Sequence, residues 1–513
     1  MTSPSTAPFS RNRKAFSTHT PTVSASFKQG ITMLSSNWPP SGSIPHFSQR
    51  PWPAARESIS RELVARSVMD PWGQNHYAGE HEREIPTHNP EAGLGWHGHT
   101  GGHIVAFLRL HWAWVILGVC FLDLFVNYSI RLGFGVILPE MIRDLGLNRT
   151  QGGSIFNAYL AAYLCMTPFV GNLTDRYGAR RIIAGFGTFL GAGALLMGTA
   201  DGFARACVYY AIVGVGASAM WTPVLVVVQR WFAPHRRGLA LGILSTGYGL
   251  GFAAMGWVFP HLVRLSSWRA SWYLLGSAAL AMVFLNGTLL RSRPEDQGLL
   301  PWGDGPRGAG EGEVQGQSSG HGRIREVMSS PRFWLIGASY FLAACSLYLV
   351  TTFMVDYAKG EVGLDLKGAS FLATIHGLSQ VLGVLTIPPL SDRLGRRRTL
   401  MGSNFLISIG IVGMVLSGNW TWGLYCSVAV VGMLYGVTWP LYGACGGDYF
   451  RKEVMGTVIG AWTPFYGTGA ILAHFLAGRV RDLTGSFHWA FLLGAGLALG
   501  ACVLLWRVGE PNR

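Results

Sequence analysis

Residues 171–181 read GNLTDRYGARR, and residues 388–398 read PPLSDRLGRRR. Both stretches contain Asp-Arg-x-Gly followed by arginines, and the two aspartates, Asp175 and Asp392, lie 217 positions apart. Three further pairs keep this offset to within one residue: Pro223 with Pro440, Gly214 with Gly432, and Gly238 with Gly456. A single match could arise by chance, but four matches at one spacing predict a duplicated chain with two equivalent halves.

The sequence around the repeated motifs is a series of long apolar stretches. A helix needs ~20 mostly apolar residues to cross the ~30 Å of hydrocarbon in a bilayer, and twelve stretches meet that need, six in each half. They cover residues 112–139, 152–172, 182–201, 206–229, 239–261, 270–290, 332–356, 368–389, 399–417, 421–444, 455–478 and 486–506. The sequence therefore predicts an all-α polytopic membrane protein with twelve transmembrane helices in two pseudo-symmetric six-helix bundles.

Composition places the chain in the same class. The 513 residues are 49% hydrophobic and only 13% charged, whereas a soluble domain carries about 25% charged residues. The formal net charge is +14, but the arginines lie in short loops between apolar stretches, which argues against a nucleic-acid partner. All seven cysteines lie inside apolar stretches or, for Cys445, directly after one, and none forms a CxxC pair. We therefore expect neither a metal site nor a cofactor.

The loops between the apolar stretches carry an uneven distribution of Lys and Arg. With the N-terminus placed inside, eighteen of these residues lie in loops on the inner side and nine in loops on the outer side. Cytoplasmic loops of membrane proteins are enriched in Lys and Arg. The sequence thus predicts a multi-pass protein with both termini in the cytoplasm, and a bacterial inner membrane is the expected location.

Five regions follow from these patterns. They are a polar tail at 1–103, a six-helix bundle at 104–293, a flexible cytoplasmic linker at 294–330, a second bundle at 331–508 and a short tail at 509–513. The first tail has too few apolar residues to bury a core, so it is predicted to be disordered or to reflect a misassigned start. Three histidines in it could bind a metal ion, although a disordered His-rich stretch explains them more simply: His97, His99 and His103.

From about residue 110 to 508 the chain resembles the major facilitator superfamily of transporters. The loop after the second predicted span fits the superfamily signature GxLxDRxGxRR through Gly171, Leu173, Asp175, Arg176, Gly178, Arg180 and Arg181. The loop after the eighth span carries a degenerate copy through Asp392, Arg393, Gly395, Arg396 and Arg397. The resemblance implies a cytoplasmic gate, in which the aspartate caps a helix end and pairs with arginines while the site opens outward. The alternative, that the arginines only set the orientation in the membrane, leaves Asp175 unexplained.

A narrower resemblance concerns the stretch WFAPHRRGLALGILSTG at 231–247. It is similar to the segment before the fifth span in monocarboxylate and oxalate/formate transporters, with one extra residue between WF and RR. Those relatives often carry Arg or Lys in span 8 or 11 to hold a carboxylate. Span 8 of this chain offers His376 and Gln380 instead, and span 11 offers His474. The anion anchor expected in the C-terminal half is therefore absent, which argues against a small dicarboxylate.

Three polar residues within the first predicted span are spaced by four: Asp123, Asn127 and Arg131. This spacing places them along one helix face, which we expect to face a central cavity because ionisable groups are costly in lipid. Arg131, with Asn127, is the candidate site for a substrate carboxylate. Asp123 is the candidate proton-coupling residue, because burial favours the neutral acid whereas a nearby arginine favours the carboxylate. Alternatively, Asp123 and Arg131 neutralise each other through Asn127 and hold the bundle together.

Other candidate site residues lie in the C-terminal half. His376 and Gln380 are one turn apart on span 8 and are predicted to contact substrate. His376 is also a candidate for proton coupling, because the imidazole titrates near neutrality, or it is a hydrogen-bonded packing group. Trp439 precedes the repeated proline of span 10 and either lines the cavity or packs between helices.

These observations predict a secondary active transporter. The expected substrate is a small, monocarboxylate-like organic anion, moved by rocking-bundle alternating access with proton coupling or by antiport. Paired repeats with a binding site at their interface are the general plan of such proteins. An exporter of amphipathic drugs or other small solutes is the alternative within transport, and a membrane sensor is the alternative outside it. An enzyme is not expected, because the sequence has no HExxH or Walker A motif; we assign no catalytic residue, and a monomer suffices.

Overall fold

The computed structural model describes residues 111–303, 327–418, 420–451 and 454–510. These residues form long helices joined by short loops. The helices are α1 Trp112–Leu145, α2 Arg149–Tyr177, α3 Ala179–Gly198, α4 Phe203–Trp231, α5 Arg237–Leu265, α6 Trp268–Thr288, α7 Pro331–Gly360, α8 Leu366–Leu394, α9 Arg396–Leu416, α10 Thr421–Tyr449, α11 Met455–Thr484 and α12 His488–Arg507. The prediction of twelve helices in two sets of six is confirmed.

The packing of the helices repeats between the two halves. In the N-terminal half α1 packs on α5, α2 on α4, and α3 on α4 and α6; in the C-terminal half α7 packs on α11, α8 on α10, and α9 on α10 and α12. The halves meet mainly where α2 packs on α11 and α5 packs on α8. The duplication seen in the sequence is therefore a duplication of three-dimensional structure.

Apolar side chains on the outside and polar side chains on the inside identify the surroundings of this bundle. Trp257 and Phe284 are 66% and 71% exposed, whereas His376 and Gln380 are fully buried. Eleven of the helices are long and apolar enough to cross a membrane; α11 has the length but is more polar. Lipid accommodates this distribution and water does not, so the chain is a multi-pass membrane protein.

Two helices are interrupted within the bundle. The first segment of α4 ends at Ala217 and the second begins at Thr222, with Pro223 in its first turn. Proline has no N–H and fixes φ, so it starts a helical segment without losing a hydrogen bond. Its repeat partner Pro440 lies inside the continuous helix α10. The first segment of α7 ends at Thr351, and a second runs from Met354 to Gly360.

The predicted linker begins later than residue 294. Residues 294–303 fold back on the first bundle: Pro294–Gln297 form a 3-10 turn, and Trp302 N–H donates to the carbonyl of Trp231. The Trp302 ring also packs against Trp114, with ring centroids 5.0 Å apart. The stretch is polar overall, so its composition is typical of a linker, whereas the backbone and ring contacts of Trp302 hold it against the first bundle. The predicted tail at 1–103, its histidines, residues 304–326 and residues 511–513 lie outside the described residues.

Candidate functional site

A cavity of about 330 Å³ lies between the two halves. Its wall is largely aromatic, and each half contributes four rings: Tyr128, Tyr163, Trp221 and Tyr248 from the first, and Tyr348, Tyr435, Trp439 and Tyr466 from the second. Leu225, Leu241 and Pro388 extend the wall toward the end of the bundle that carries the loops with the repeated Asp-Arg motifs. We call this end the arginine-rich end, and the other the opposite end.

The two halves line the cavity with equivalent residues. Three pairs separated by 218 positions face it: Trp221 with Trp439, Ser245 with Thr463, and Tyr248 with Tyr466. Arg131 and Tyr348, which are 217 positions apart, also face it and are hydrogen-bonded to each other. The cavity is therefore built on the pseudo-twofold relation between the halves. At one pair of equivalent positions the symmetry is broken, because the first half supplies a guanidinium where the second supplies a phenol.

Arg131 is the charged member of the cavity lining. It lies on α1 and is 8% exposed, and its Nη2 donates to Tyr348 Oη at 2.8 Å across the interface between the halves. The guanidinium also lies 5.3 Å from the ring centroid of Tyr163 and 5.7 Å from that of Tyr128. Aromatic faces stabilise a buried cation without neutralising it. Arg131 Nε is buried and has no hydrogen-bond partner among the described residues, so the protein groups around the guanidinium leave one of its donors unused.

Asp123 does not lie on the cavity, which corrects the expectation for the polar stripe of α1. Asn286 of α6 donates to Asp123 Oδ1 at 2.7 Å, and both side chains are at most 2% exposed. An α-helix turns by ~100° per residue, so eight residues rotate Asp123 by about 80° from Arg131. Asn127 is buried as well and is outside the cavity lining. Mutual neutralisation of Asp123 and Arg131 is also absent, because each has a different partner.

His376 and Gln380 form a buried pair away from the cavity. Gln380 Nε2 donates to His376 Nδ1 at 2.8 Å, and the His376 ring packs edge-on against Phe252 of α5 and Tyr435 of α10. Neither residue belongs to the cavity lining. The structure therefore places both candidate substrate contacts at the α5–α8 and α8–α10 interfaces, whereas it places Trp439 in the cavity wall.

His474 connects three helices at the interface between the halves. Asn157 of α2 donates from Nδ2 to the carbonyl of Ile471 at 3.0 Å, so its Oδ1, 3.1 Å from His474 Nδ1, is the acceptor. Nδ1 of His474 therefore carries the proton of the neutral ring. Nε2 of His474 lies 2.8 Å from Thr352 Oγ1, in the break of α7. The residue joins α2, α7 and α11 beside the cavity.

Charged groups join the halves at the opposite end. Arg149, in the first turn of α2, binds Asp356 of α7 with Nε 3.0 Å from Oδ2. Asp482, near the end of α11, accepts from the backbone N–H of Arg149 at 3.0 Å and from that of Thr150 at 2.8 Å. Lys359 of α7 pairs with Glu140 of α1. These contacts close the cavity at the opposite end.

The repeated motifs at the arginine-rich end make contacts only within their own halves. Arg180 donates to the carbonyl of Gly287 at the end of α6, and its repeat partner Arg397 donates to that of Leu505 at the end of α12, at 2.9 Å. Arg396 binds Asp392 at 3.2 Å and Asp448 at 2.9 Å. Asp175 is exposed and makes no hydrogen bond or ion pair with a described residue. The cavity thus extends toward an end at which this carboxylate is free.

The two motif glycines have a local structural role. Gly178 and Gly395 end α2 and α8 with φ of 82° and 91°, a region that L-residues with a side chain rarely adopt. They allow the chain to turn directly into α3 and α9. The contacts of Arg180 and Arg397 then fix these turns on the neighbouring helix ends, so these two arginines do more than set membrane orientation. Arg176, Arg181 and Arg393 make no contact between the halves among the described residues.

The tyrosines of the cavity were missed by sequence reasoning. Tyr128 directly follows Asn127, and Tyr248 and Tyr466 occupy equivalent positions in the two halves. Phenols need a partner when buried, and Tyr248 Oη donates to the Gly436 carbonyl across the interface at 2.8 Å. A search for polar aromatics that recur at the repeat offset would have found this pair.

A family model for the Major Facilitator Superfamily matches the chain over residues 116–461 and again over 336–513. The chain belongs to this superfamily. It is accordingly a secondary transporter and not an enzyme. The second match begins within the first, as expected for a protein whose halves are related.

Three relatives bear on the substrate class. The "Probable sulfoacetate transporter SauU" of Cupriavidus necator is 24% identical over 411 residues, which cover 76% of this chain and 93% of the relative. A hexuronate transporter of Bacillus subtilis is 24% identical over 405 residues, covering 75% and 92%. Monocarboxylate transporter 12-B of Danio rerio is 22% identical over 425 residues, covering 77% and 87%. The names of all three relatives describe small organic anions.

Solved structures show the same fold. The nucleoside transporter NupG superposes with a TM-score of 0.62 at 15% identity, covering 78% of this chain and 99% of that one. A bacterial homologue of the lysosomal transporter Spinster, in an inward-facing form, gives a TM-score of 0.58 at 16% identity, covering 78% and 95%. At these identities the similarity concerns the fold alone.

Proposed function

We propose that this facilitator transports a small organic anion with one carboxylate, which binds to Arg131 in the cavity between the halves. The observation that carries the proposal is the buried guanidinium at the pseudo-twofold position, with an unpartnered Nε and no carboxylate bound to it among the described residues. A planar guanidinium fits a carboxylate bidentately. Hexuronates and monocarboxylates, named for two of the relatives, carry one negative charge, whereas sulfoacetate, named for the third, carries a sulfonate as well.

The remainder of the cavity sets limits on the solute. A volume of about 330 Å³ is at the lower end of the range of about 300–1,000 Å³ for ligand pockets. The wall beyond Arg131 is aromatic, with hydroxyl groups from Ser245 and Thr463. Such a wall favours an anion with a compact apolar or hydroxylated body. A second carboxylate would have no cation, because Arg131 is the charged residue of the described lining.

The arrangement of contacts supports alternating access. The halves are joined at the opposite end by Arg149, Asp356 and Asp482, whereas Asp175 at the arginine-rich end has no partner among the described residues. Since Lys and Arg are enriched on the cytoplasmic side, we assign the arginine-rich end to the cytoplasm. The conformation is then inward-facing, and rocking of the halves about α2–α11 and α5–α8 would expose Arg131 to the other side.

Uptake into proteoliposomes tests the proposal. The full chain is reconstituted and given radiolabelled lactate, glycolate, benzoate, glucuronate and sulfoacetate, each with and without an inward proton gradient. We expect saturable uptake of at least one monoanion by the wild type. Arg131→Ala should reduce that uptake to the level of protein-free vesicles, Arg131→Lys should retain part of it, and Arg205→Ala, at an exposed pair, should behave as wild type. Unchanged uptake by Arg131→Ala would refute the anion site.

The aromatic wall is the observation that favours the alternative, an exporter of amphipathic solutes. Eight rings line the cavity, and rings bind flat apolar molecules without requiring a charge. The two transport functions differ in their need for Arg131. Binding of neutral amphipathic dyes that is as strong in Arg131→Ala as in the wild type, combined with no carboxylate uptake, would favour export. A membrane sensor would bind an anion, as judged by thermal stabilisation, without moving it.

A further inference from the structure

A second, much smaller space lies inside the N-terminal half, separate from the cavity. Its volume is about 10 Å³, and it is enclosed by α1, α3, α4 and α6. Asp123 and Asn286 supply its polar groups, and apolar side chains such as Leu190, Met220 and Met282 form the rest of the wall. A space of about 10–15 Å³ holds one water molecule, so this one is large enough for a single water beside the carboxyl group.

Hydrogen-bond acceptors outnumber donors at this place. Asn286 Nδ2 donates to Asp123 Oδ1 at 2.7 Å. Asp123 Oδ2 and Asn286 Oδ1 are buried and have no partner in the described part of the chain, and the same holds for Asn127 Oδ1, one turn along α1. Buried polar atoms in proteins are almost always satisfied. The described residues do not supply the missing donors, and a proton, a water molecule or a cation would supply them.

No cation of the described residues faces Asp123. The residues that line the small space from α3, α4 and α6 include no titratable group. On α1, the Cys120 thiol lies one turn before Asp123, and Arg131 is bound to Tyr348 at 2.8 Å on the cavity side. An ionised carboxylate without a counter-ion is costly inside a membrane protein. One proton removes this charge and supplies one of the missing donors.

Two structural elements connect the small space to the cavity. The break in α4 places Met220 against the small space and its neighbour Trp221 in the cavity wall. Helix α1 carries Asp123 at the small space and Arg131 at the cavity. The two residues are about 12 Å apart along the helix axis, at ~1.5 Å per residue. A change in the charge of Asp123 thus acts on elements that also form the anion site.

We propose that Asp123, positioned by Asn286, binds the proton that couples anion transport to the proton gradient, with one water molecule completing its hydrogen bonds. The inference rests on the proposed transport of an anion and specifies where its coupling ion binds. Proton binding converts the carboxylate to the neutral acid, and the reverse step releases the proton. Asn286 is a positioning residue, because it contacts Asp123 and not the anion.

The first test needs no substrate. Infrared difference spectra of the full chain in lipid, recorded as the pH is stepped, detect the C=O stretch of a protonated carboxyl. We expect a band that titrates in the wild type, is missing in Asp123→Asn, and shifts in Asn286→Leu. Asp201→Asn, at an exposed carboxyl, should leave the band in place. A wild-type band that persists in Asp123→Asn would overturn the assignment.

The second test uses the carboxylate with the largest uptake in the proteoliposome screen. Asp123→Asn should abolish accumulation driven by a proton gradient but retain exchange of labelled for unlabelled substrate, because the cavity is intact. Asp123→Glu should restore accumulation with a displaced pH profile, which a purely structural role would not produce. Accumulation that follows a sodium gradient and ignores the proton gradient would contradict the proposal. If no carboxylate is transported, the proposed substrate class fails, while the infrared titration still decides the proton site.

Discussion

Helices α2 and α11 run antiparallel across the interface, and their two ends differ in this conformation. At the opposite end, Asp482 in the last turn of α11 accepts hydrogen bonds from the first turn of α2. At the arginine-rich end, Asp175 in the last turn of α2 binds none of the residues that the structure describes, and the first turn of α11 has no side-chain cap. Each helix therefore carries an aspartate two residues before its end. Of the two, Asp482 binds the other helix in this conformation.

Glycines of α2 and α11 also differ between the two ends: those at the opposite end contact the other helix, and those at the arginine-rich end do not. Gly153 of α2 and Gly478 of α11 touch the partner helix at the opposite end, where an added Cβ would lie 2.6 Å from the carbonyl oxygens of His474 and Arg149. Gly171 of α2 and Gly460 of α11 lie at matching distances from the other helix ends, and an added Cβ would meet nothing within 4 Å. In the alternating access proposed above, Gly171 and Gly460 would let α2 and α11 approach each other when the arginine-rich end closes and the opposite end opens.

One measurement follows the balance between these two packings. Spin labels attached through Arg143→Cys and Lys367→Cys, two exposed positions on different halves at the opposite end, report the separation of the halves as a distance. The exposed thiols of Cys165 and Cys426 are first replaced by serine. A short distance marks the conformation described here, and a long distance marks its alternative.

The largest effect is expected from Gly153→Ala. Its Cβ would lie 2.6 Å from a backbone oxygen of His474, and backbone cannot move aside as a side chain does. Overpacking of this kind costs about 1–3 kcal/mol, which is enough to separate α2 from α11 and lengthen the label distance. Gly118→Ala, where nothing lies within 4 Å, is the control. An unchanged distance in Gly153→Ala would show that this contact does not limit opening.

A smaller shift is expected from Asp356→Asn. Its side chain is 5% exposed and that of Arg149 is 31% exposed, so the pair is only partly screened by solvent. We expect the conformation with a closed opposite end to lose about 1–2 kcal/mol of stability relative to the alternative. This loss is smaller than that for a fully buried pair. The same label distance measures the shift. Asp201→Asn, in a pair with both side chains 62% exposed, should leave the distance unchanged, and an equal shift in both variants would argue against a gate at Asp356.

Much of the fold was predictable because it depends on patterns that survive without tertiary contacts. Hydrophobic length gave the helices, and the offset between Asp175 and Asp392 gave the two halves. The break in α4 was less accessible: Pro223 begins the second segment, yet Pro440 at the equivalent position leaves α10 continuous. Proline permits an interruption, and only the neighbouring helices decide whether one occurs.

The site was predictable in part, for reasons of geometry. Arg131 lies in the cavity lining, but a spacing of four residues drifts around a helix, so Asp123 points into the bundle. His376 and Gln380 are polar and central in α8, yet α8 turns them toward α5 and α10. Which face of a helix meets the cavity depends on its rotation in the bundle, and polarity alone does not specify that rotation.

A still smaller shift is expected from Asp482→Asn. The carboxylate accepts two backbone N–H groups of α2 and the hydroxyl of Thr150 at 2.6 Å, and asparagine keeps one acceptor oxygen. The variant mainly loses the attraction between a negative charge and a helix N-terminus, worth about 0.3–1 kcal/mol. High salt screens such an attraction. The difference from the wild type in label distance should therefore shrink as salt is added, and a salt-independent difference would point to lost hydrogen bonds instead.

The smallest effect on this conformation is expected from Gly171→Ala, and it tests the comparison most directly. An added Cβ at Gly171 meets nothing within 4 Å here, so the closed opposite end should keep its short label distance. If α2 and α11 approach each other at the arginine-rich end in the alternative packing, the same methyl group will obstruct it. Gly171→Ala should then reduce proteoliposome uptake while leaving the distance short, whereas Gly153→Ala lengthens it. Wild-type uptake by Gly171→Ala would mean that the free glycines do not form a second interface, and that the halves close at this end by another route.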